Sequence, residues 1–218
     1  MRKSEEKRAL VVVDYQNDFV TGSLGFARAA ALEDAIADKI ARAKRQGTRV
    51  IFTMDTHPQP YRETEEGRHL PVPHCLENTE GWQLYGRVAA LCDENTPMFH
   101  KETFGCLALA NYLHDERFTG IELVGVVTNM CVISNAVLAK AACPQAVIRV
   151  DADCVACPVE ADNRRALKMI EQMHIEILHG GKEEERDETG KPTAHDRAAV
   201  PDADKSGAGG GREFFRQL

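Results

Sequence analysis

Residues 122–142 read ELVGVVTNMCVISNAVLAKAA, and the periodicity changes halfway along. Leu123 to Val127 are apolar or glycine throughout, the pattern of a strand buried on both faces. From Val132 the apolar residues Val132, Ile133, Ala136, Val137 and Ala139 recur at helical spacing. Between the two patterns, Thr128 and Asn129 offer helix N-cap side chains. Cys131 therefore falls in the first turn of a helix that follows a buried strand. Unpaired amides and the positive end of the helix dipole favour a thiolate there. A second strand of the same kind places this turn at the carboxyl edge of a parallel sheet, where ligands bind in α/β folds. The alternative is a small core cysteine. Its position, rather than its residue type, makes Cys131 a candidate nucleophile.

Outward from this stretch, strand and helix patterns alternate. Ala9–Val13, Arg49–Met54, Ala146–Val150 and Ile175–Leu178 read as strands, with a short extended piece at Pro97–Phe99. Residues 31–46, Leu84–Leu91, Cys106–Leu113 and Glu160–Met173 read as helices, and Gly47 is a natural stop for the one it follows. In the last helix Ala161, Leu167, Ile170 and Met173 are expected to face inward. Asp151-Ala152-Asp153 is expected to end its strand. Residues 58–82 form a long irregular stretch with four prolines, of the kind that is ordered for function. The alternation predicts a three-layer α/β/α, Rossmann-like fold with a parallel sheet of about six strands and helices on both faces. Residues 1–8 form an N-terminal leader and 9–180 one domain. From 181 to 218 the chain turns charged and glycine-rich, which predicts a flexible tail.

The 218 residues are 43% hydrophobic and 28% charged, enough for one soluble domain with a real core. A net charge of −7 with no long basic block argues against a nucleic-acid partner. No stretch is long and apolar enough for a membrane, and the apolar run ended by Asp14 is too short for a secretory signal. A cytoplasmic location is expected, with assembly into a homo-oligomer. Seven cysteines at irregular spacing suit free thiols better than a disulfide framework. Cys154-Val-Ala-Cys157 has no second pair to make a zinc knuckle and reads as structural.

Three strand ends bring reactive side chains to one edge: Asp14, then Asp55 with His57, then Cys131. Lys101 arrives on the short extended piece. An acid, a lysine and a thiol at one edge make a proton acceptor, a cation and a nucleophile. Asp55, His57 and His74 mix hard and borderline ligands that suit a divalent ion with open positions.

The motifs Asp14-Tyr-Gln-Asn-Asp-Phe19, Lys101 with Phe104-Gly105, and Gly125-Val-Val-Thr-Asn-Met-Cys131-Val132 together resemble the isochorismatase-like cysteine hydrolases. Asp55-Thr-His-Pro58 and Pro71-Val-Pro-His-Cys75 resemble their nicotinamidase branch. The resemblance implies a catalytic triad of Asp14, Lys101 and Cys131 acting on a small carboxamide, nicotinamide first. It implies a cis peptide between Val126 and Val127, with the amides of Val127 and Cys131 as oxyanion hole. Phe19, Val126 and Val127 are the implied substrate-binding residues. It also implies one divalent metal on Asp55, His57, His74 and Glu66, with His69 the alternative to Glu66. Zinc is the expected ion, with manganese and iron as alternatives. The chain departs from the branch at Pro71, where a tryptophan is common. A metal-free carbamoyl-amide or isochorismatase-type hydrolase, and an idle metabolite-binding relative, are the competing readings.

Overall fold

A computed structural model describes residues 6–180. Most of the predicted leader and all of the tail at 181–218 lie outside them. The strands are β1 (Arg8–Val13), β2 (Arg49–Asp55), β3 (Met98–Lys101), β4 (Gly120–Val126), β5 (Val147–Ala156) and β6 (Glu176–Leu178). The helices are α1 (Asn17–Val20), α2 (Ala27–Ala31), α3 (Glu33–Arg45), α4 (Glu65–His69), α5 (Gly86–Ala89), α6 (Leu107–Asp115), α7 (Ile133–Ala142) and α8 (Glu160–Gln172).

All strand pairs are parallel, in the order β3-β2-β1-β4-β5-β6. The order reverses between β1 and β4, and the carboxyl edge at such a reversal is where α/β sheets bind ligands. Side-chain alternation splits the core into two layers. Val11, Val13, Ile51, Leu123 and Ile148 pack with Leu109, Leu113, Ala136 and Ile170, beneath α6, α7 and α8. Leu10, Val12, Phe52 and Val124 pack with Ile36 and Ile40 of α3 on the other face. Gly125 permits the closest approach of β1 and β4. Its φ is +114°, and a Cβ there would stand 2.1 Å from the Val13 carbonyl oxygen.

Local departures from the expected elements have physical causes. Neither Thr128 nor Asn129 caps a helix: Thr128–Val132 form a π-helical turn, with Val127 at the cap position. The buried Thr128 hydroxyl donates instead to Asn163 Oδ1 of α8 at 2.6 Å. Asp151-Ala152-Asp153 does not end β5, which bulges and runs on to Ala156. A buried Asp151 is tolerated because Lys39 of α3, the Asp153 amide and His179 meet its oxygens. In α8 the buried residues are Asn163, Ala166 and Ile170, while Leu167 and Met173 are partly buried and Ala161 lies at the margin. The stretch 58–82 contains a 3-10 turn at Tyr61–Glu63 and α4, capped by Thr64 Oγ1 on the Gly67 amide. Lys101 belongs to β3 itself.

All seven cysteines are free. Burial pushes the Cys154 thiol up to about 12, and Cys157 donates to Asn129 Oδ1, so this pair is packed away rather than reactive.

Candidate active site and metal centre

Asp14 follows β1, Lys101 ends β3, and Cys131 lies in the turn after β4; the three meet at the carboxyl edge of the sheet. Asp14 is fully buried and has a φ of +46°. Thr53 donates to its Oδ1 at 2.7 Å. Its Oδ2 pairs with Lys101 Nζ at 2.7 Å, and the Cys131 thiol also interacts with the Asp14 carboxyl. Lys101 Nζ also lies 2.9 Å from Asp55 Oδ1 and 3.5 Å from Cys131 Sγ.

Burial dominates the electrostatics. It pushes the Cys131 thiol well up, against Lys101, and Asp14 and Asp55 push the same way. Burial and the two carboxylates therefore work against the thiolate that the helix terminus and Lys101 favour. Burial also raises Asp14, against the opposing Lys101. That makes Asp14 a stronger base toward the thiol. Burial works to lower Lys101, but Asp14, Cys131 and Asp55 hold it well above the ordinary lysine value. Lys101 thus stays charged between two carboxylates and a sulfur.

Next to this trio stands a second cluster. Asp55 Oδ2, one oxygen of Glu66 and one nitrogen each of His57 and His74 lie within 4.8 Å of one another. His57 Nε2 is 2.9 Å from Asp55 Oδ2 and 3.6 Å from Glu66 Oε1. His74 Nε2 is 3.2 Å and 3.4 Å from the same two oxygens. Donors about 2.0–2.2 Å from a tetrahedral ion stand roughly 3.3–3.6 Å apart, so the donor set fits one divalent ion. His74 Nδ1 faces the Val72 carbonyl at 2.9 Å, which fixes the proton on Nδ1 and leaves Nε2 for a ligand role. Burial works to lower His74, yet its bonds to Asp55 and Glu66 lift it to about 9. Burial works to raise Asp55 and is outweighed by Lys101, His57 and His74, which hold it well below the carboxylate range. His69 does not join the cluster: its ring faces the Glu65 carbonyl, with its side chain 75% exposed. A second acidic group, Asp151, Asp153 and His179, is a packing feature, since Asp151 is spent on Lys39 and His179.

The remaining expected residues are also here. Phe19 meets the His74 ring edge at 5.5 Å between centroids. Val126 and Val127 are buried and joined by a cis peptide. The Val127 carbonyl accepts from the amides of Met130 and Val132.

Several supporting residues were not foreseen. Gln16 clamps β2, accepting from the Asp55 amide and donating to the Asp55 and Trp82 carbonyls. Asn135 accepts from the Cys106 amide and donates to the carbonyls of Phe104 and Cys131. Asp18 Oδ2 accepts from the Cys75 amide, tying down the segment next to His74. Tyr61 packs on both imidazoles, 5.0 Å from His57 and 5.1 Å from His74. The signal for Asn135 was available, a polar residue on the apolar face of a helix. Tyr61 gave none. Trp82 spends its indole on Thr56 Oγ1 and stacks on His100.

The family model for the isochorismatase domain matches residues 8–180. The isochorismatase family protein PncA of Bacillus subtilis is 30% identical over 142 residues, 60% of this chain and 77% of that one. The nicotinamidase/pyrazinamidase of Mycobacterium tuberculosis is 30% identical over 145 residues, 59% of this chain and 76% of its own length. Among solved structures, the nicotinamidase/pyrazinamidase PncA of Bacillus subtilis superposes with a TM-score of 0.72 at 27% identity, covering 79% of this chain and 99% of that one.

Proposed function

The chain belongs to the isochorismatase family, and from that premise we propose that it is a cysteine amidase converting nicotinamide to nicotinate and ammonia. The observation that carries this is the convergence of Asp14, Lys101 and Cys131 beside a donor set fit for a divalent ion. Relatives that act on nicotinamide and pyrazinamide, at about 30% identity, support the choice of substrate.

In this reading Cys131 Sγ attacks the carboxamide carbon while Asp14 Oδ2 takes its proton. The oxygen that gains charge is held by the amides of Val127 and Cys131. Asp14 returns the proton to the nitrogen, ammonia leaves, and a thioester remains. Water then attacks, Asp14 accepts its proton, and the acid departs as Cys131 regains its thiol. Lys101 stays protonated throughout and balances whichever of Asp14 and Cys131 is charged. Phe19, Val126 and Val127 pack the ring. Asp55, His57, Glu66 and His74 would hold the ion, zinc first, which when bound supplies a Lewis-acid contact for the ring nitrogen. We extend the proposal to a cytoplasmic homo-oligomer; exposed Phe104, Leu107 and Val137 support a face for a second copy.

The test is ammonia release from nicotinamide, pyrazinamide, a carbamoyl amide and an aliphatic amide by the zinc-loaded protein. Turnover of the two ring amides is expected. Activity confined to the carbamoyl amide would move the chain to the metal-free alternative.

A further inference from the structure

Asp55 belongs to both clusters at once. Its Oδ1 holds Lys101 Nζ at 2.9 Å, while its Oδ2 faces His57 and His74 at 2.9 Å and 3.2 Å. The groups facing the Lys101 ammonium are Asp14 from β1, Asp55 from β2 and Cys131 from the turn after β4. All four side chains are buried, with residue exposures of 0%, 3%, 5% and 5% for Asp14, Asp55, Lys101 and Cys131. We infer that Asp55 is a relay: a divalent cation on its Oδ2 side loosens its hold on Lys101 and turns that charge toward Cys131, so the nucleophile is fully reactive only in the metal-loaded chain. This rests on the amidase reading, which supplies both the nucleophile and the ion.

The physics is the sharing of one negative charge between two oxygens. Without the ion, Oδ2 shares its charge with the His57 and His74 rings alone, and the remaining attraction of Asp55 is available to Lys101. A dication at Oδ2 draws that charge to itself, and the contact at Oδ1 weakens. Lys101 has two other partners within reach, Asp14 Oδ2 at 2.7 Å and Cys131 Sγ at 3.5 Å. A positive charge moved toward a buried sulfur favours the thiolate, and the low local dielectric makes small shifts count. Asp55 acts here as a positioning residue, through Lys101.

The experiment uses the full chain, zinc-loaded or stripped with a chelator. Alkylation of the Cys131 peptide by iodoacetamide is followed by mass spectrometry across a pH series. In the zinc-loaded protein the pH midpoint should fall by about one unit, and the rate near neutrality should rise about tenfold. Lys101→Gln should shrink that difference to about twofold or less while zinc still binds. His74→Ala, which loses the ion, should show a midpoint that added zinc does not move. Equal midpoints would overturn the relay. So would a rate change at an unchanged midpoint, which reports access only, or an undiminished effect in Lys101→Gln. Failure of the parent chain to retain zinc would overturn it too. A zinc-dependent midpoint in a protein that releases no ammonia from nicotinamide would uphold the relay and remove the substrate assignment instead.

Discussion

Asp55 and Lys101 are register partners at the ends of β2 and β3, and their side chains meet at 2.9 Å. β3 has only four residues and pairs with β2 alone, so the register rests on Phe52, Thr53, Met54 and Asp55 opposite Met98 to Lys101. A slip of one residue would put Lys101 on the outer face, where His100 now stacks on Trp82. The position of the ammonium between Asp14 and Cys131 is thus a property of strand pairing.

Cys131 should be the only cysteine that turnover requires. It is small and fits where alanine would fit, so Cys131→Ala should melt near the parent temperature while ammonia release falls by about a thousandfold or more. Cys154→Ala and Cys157→Ala remove buried, packed-away sulfurs and should keep near-parental turnover, with a modest loss of stability. Thermal melts beside an ammonia assay settle both halves. Comparable activity in Cys131→Ala would remove the mechanism.

The sheet, and the meeting of Asp14, Lys101 and Cys131 at one of its edges, were legible because both follow from local pattern, while the roles of the three came from the resemblance. Runs such as Ala9–Val13, short and rich in valine, suit doubly buried strands, and parallel strands bring their ends to one edge. What local pattern could not give was tertiary satisfaction. Thr128 looked like a cap because nothing in its neighbourhood reveals Asn163, thirty-five residues on. Asp151 looked like a strand end because Lys39, which neutralises it, comes from another helix. Gln16 and Tyr61 were invisible for the same reason: their partners lie on other elements. The preference for Glu66 over His69 came from resemblance, and their separation in space follows from α4, which turns one inward and the other to solvent.

That separation makes a second prediction. Glu66→Gln keeps the shape of the side chain but removes the charge from Oε1, which stands 3.4–3.6 Å from both imidazoles. It should weaken zinc affinity by about a hundredfold or more, since even outer groups at such sites are worth about 10–100-fold. His69→Ala should leave affinity unchanged. Competition with a chromophoric chelator measures both, and the reverse order would transfer the role to His69.

Asp151 offers a test of stability against pH. Burial works to raise its carboxyl, but Lys39 and His179 outweigh it and hold it below the ordinary value. A depressed folded-state pKa contributes stability above the unfolded value of about 3.9, lost as pH falls through the folded one. Asp151→Asn should therefore melt lower than the parent at neutral pH. The gap should close as pH drops below about 4, where the parent loses the same charge. A gap independent of pH would show that packing, not the ion pair with Lys39, sets the effect.

Asn135 should matter to turnover although it touches none of the reacting atoms. It is 1% exposed on α7, one turn beyond Cys131. Its Oδ1 accepts from the Cys106 amide at 3.0 Å, and its Nδ2 donates to the carbonyls of Phe104 at 3.0 Å and Cys131 at 2.8 Å. One side chain therefore ties the Cys131 turn to the segment that follows Lys101. Asn135→Leu fills a similar volume but strands one buried amide and two carbonyls, each costing about 1–3 kcal/mol when left unpaired. Asn135→Asp keeps the acceptor for Cys106 and loses both donors, so the backbone on either side of the site is freed while the α6 N-terminus stays fixed. If the role is to hold the distance between Lys101 and Cys131, kcat should fall in Asn135→Asp by about tenfold or more, with KM little changed. A loss of thermal stability with kcat intact would make Asn135 a packing residue only.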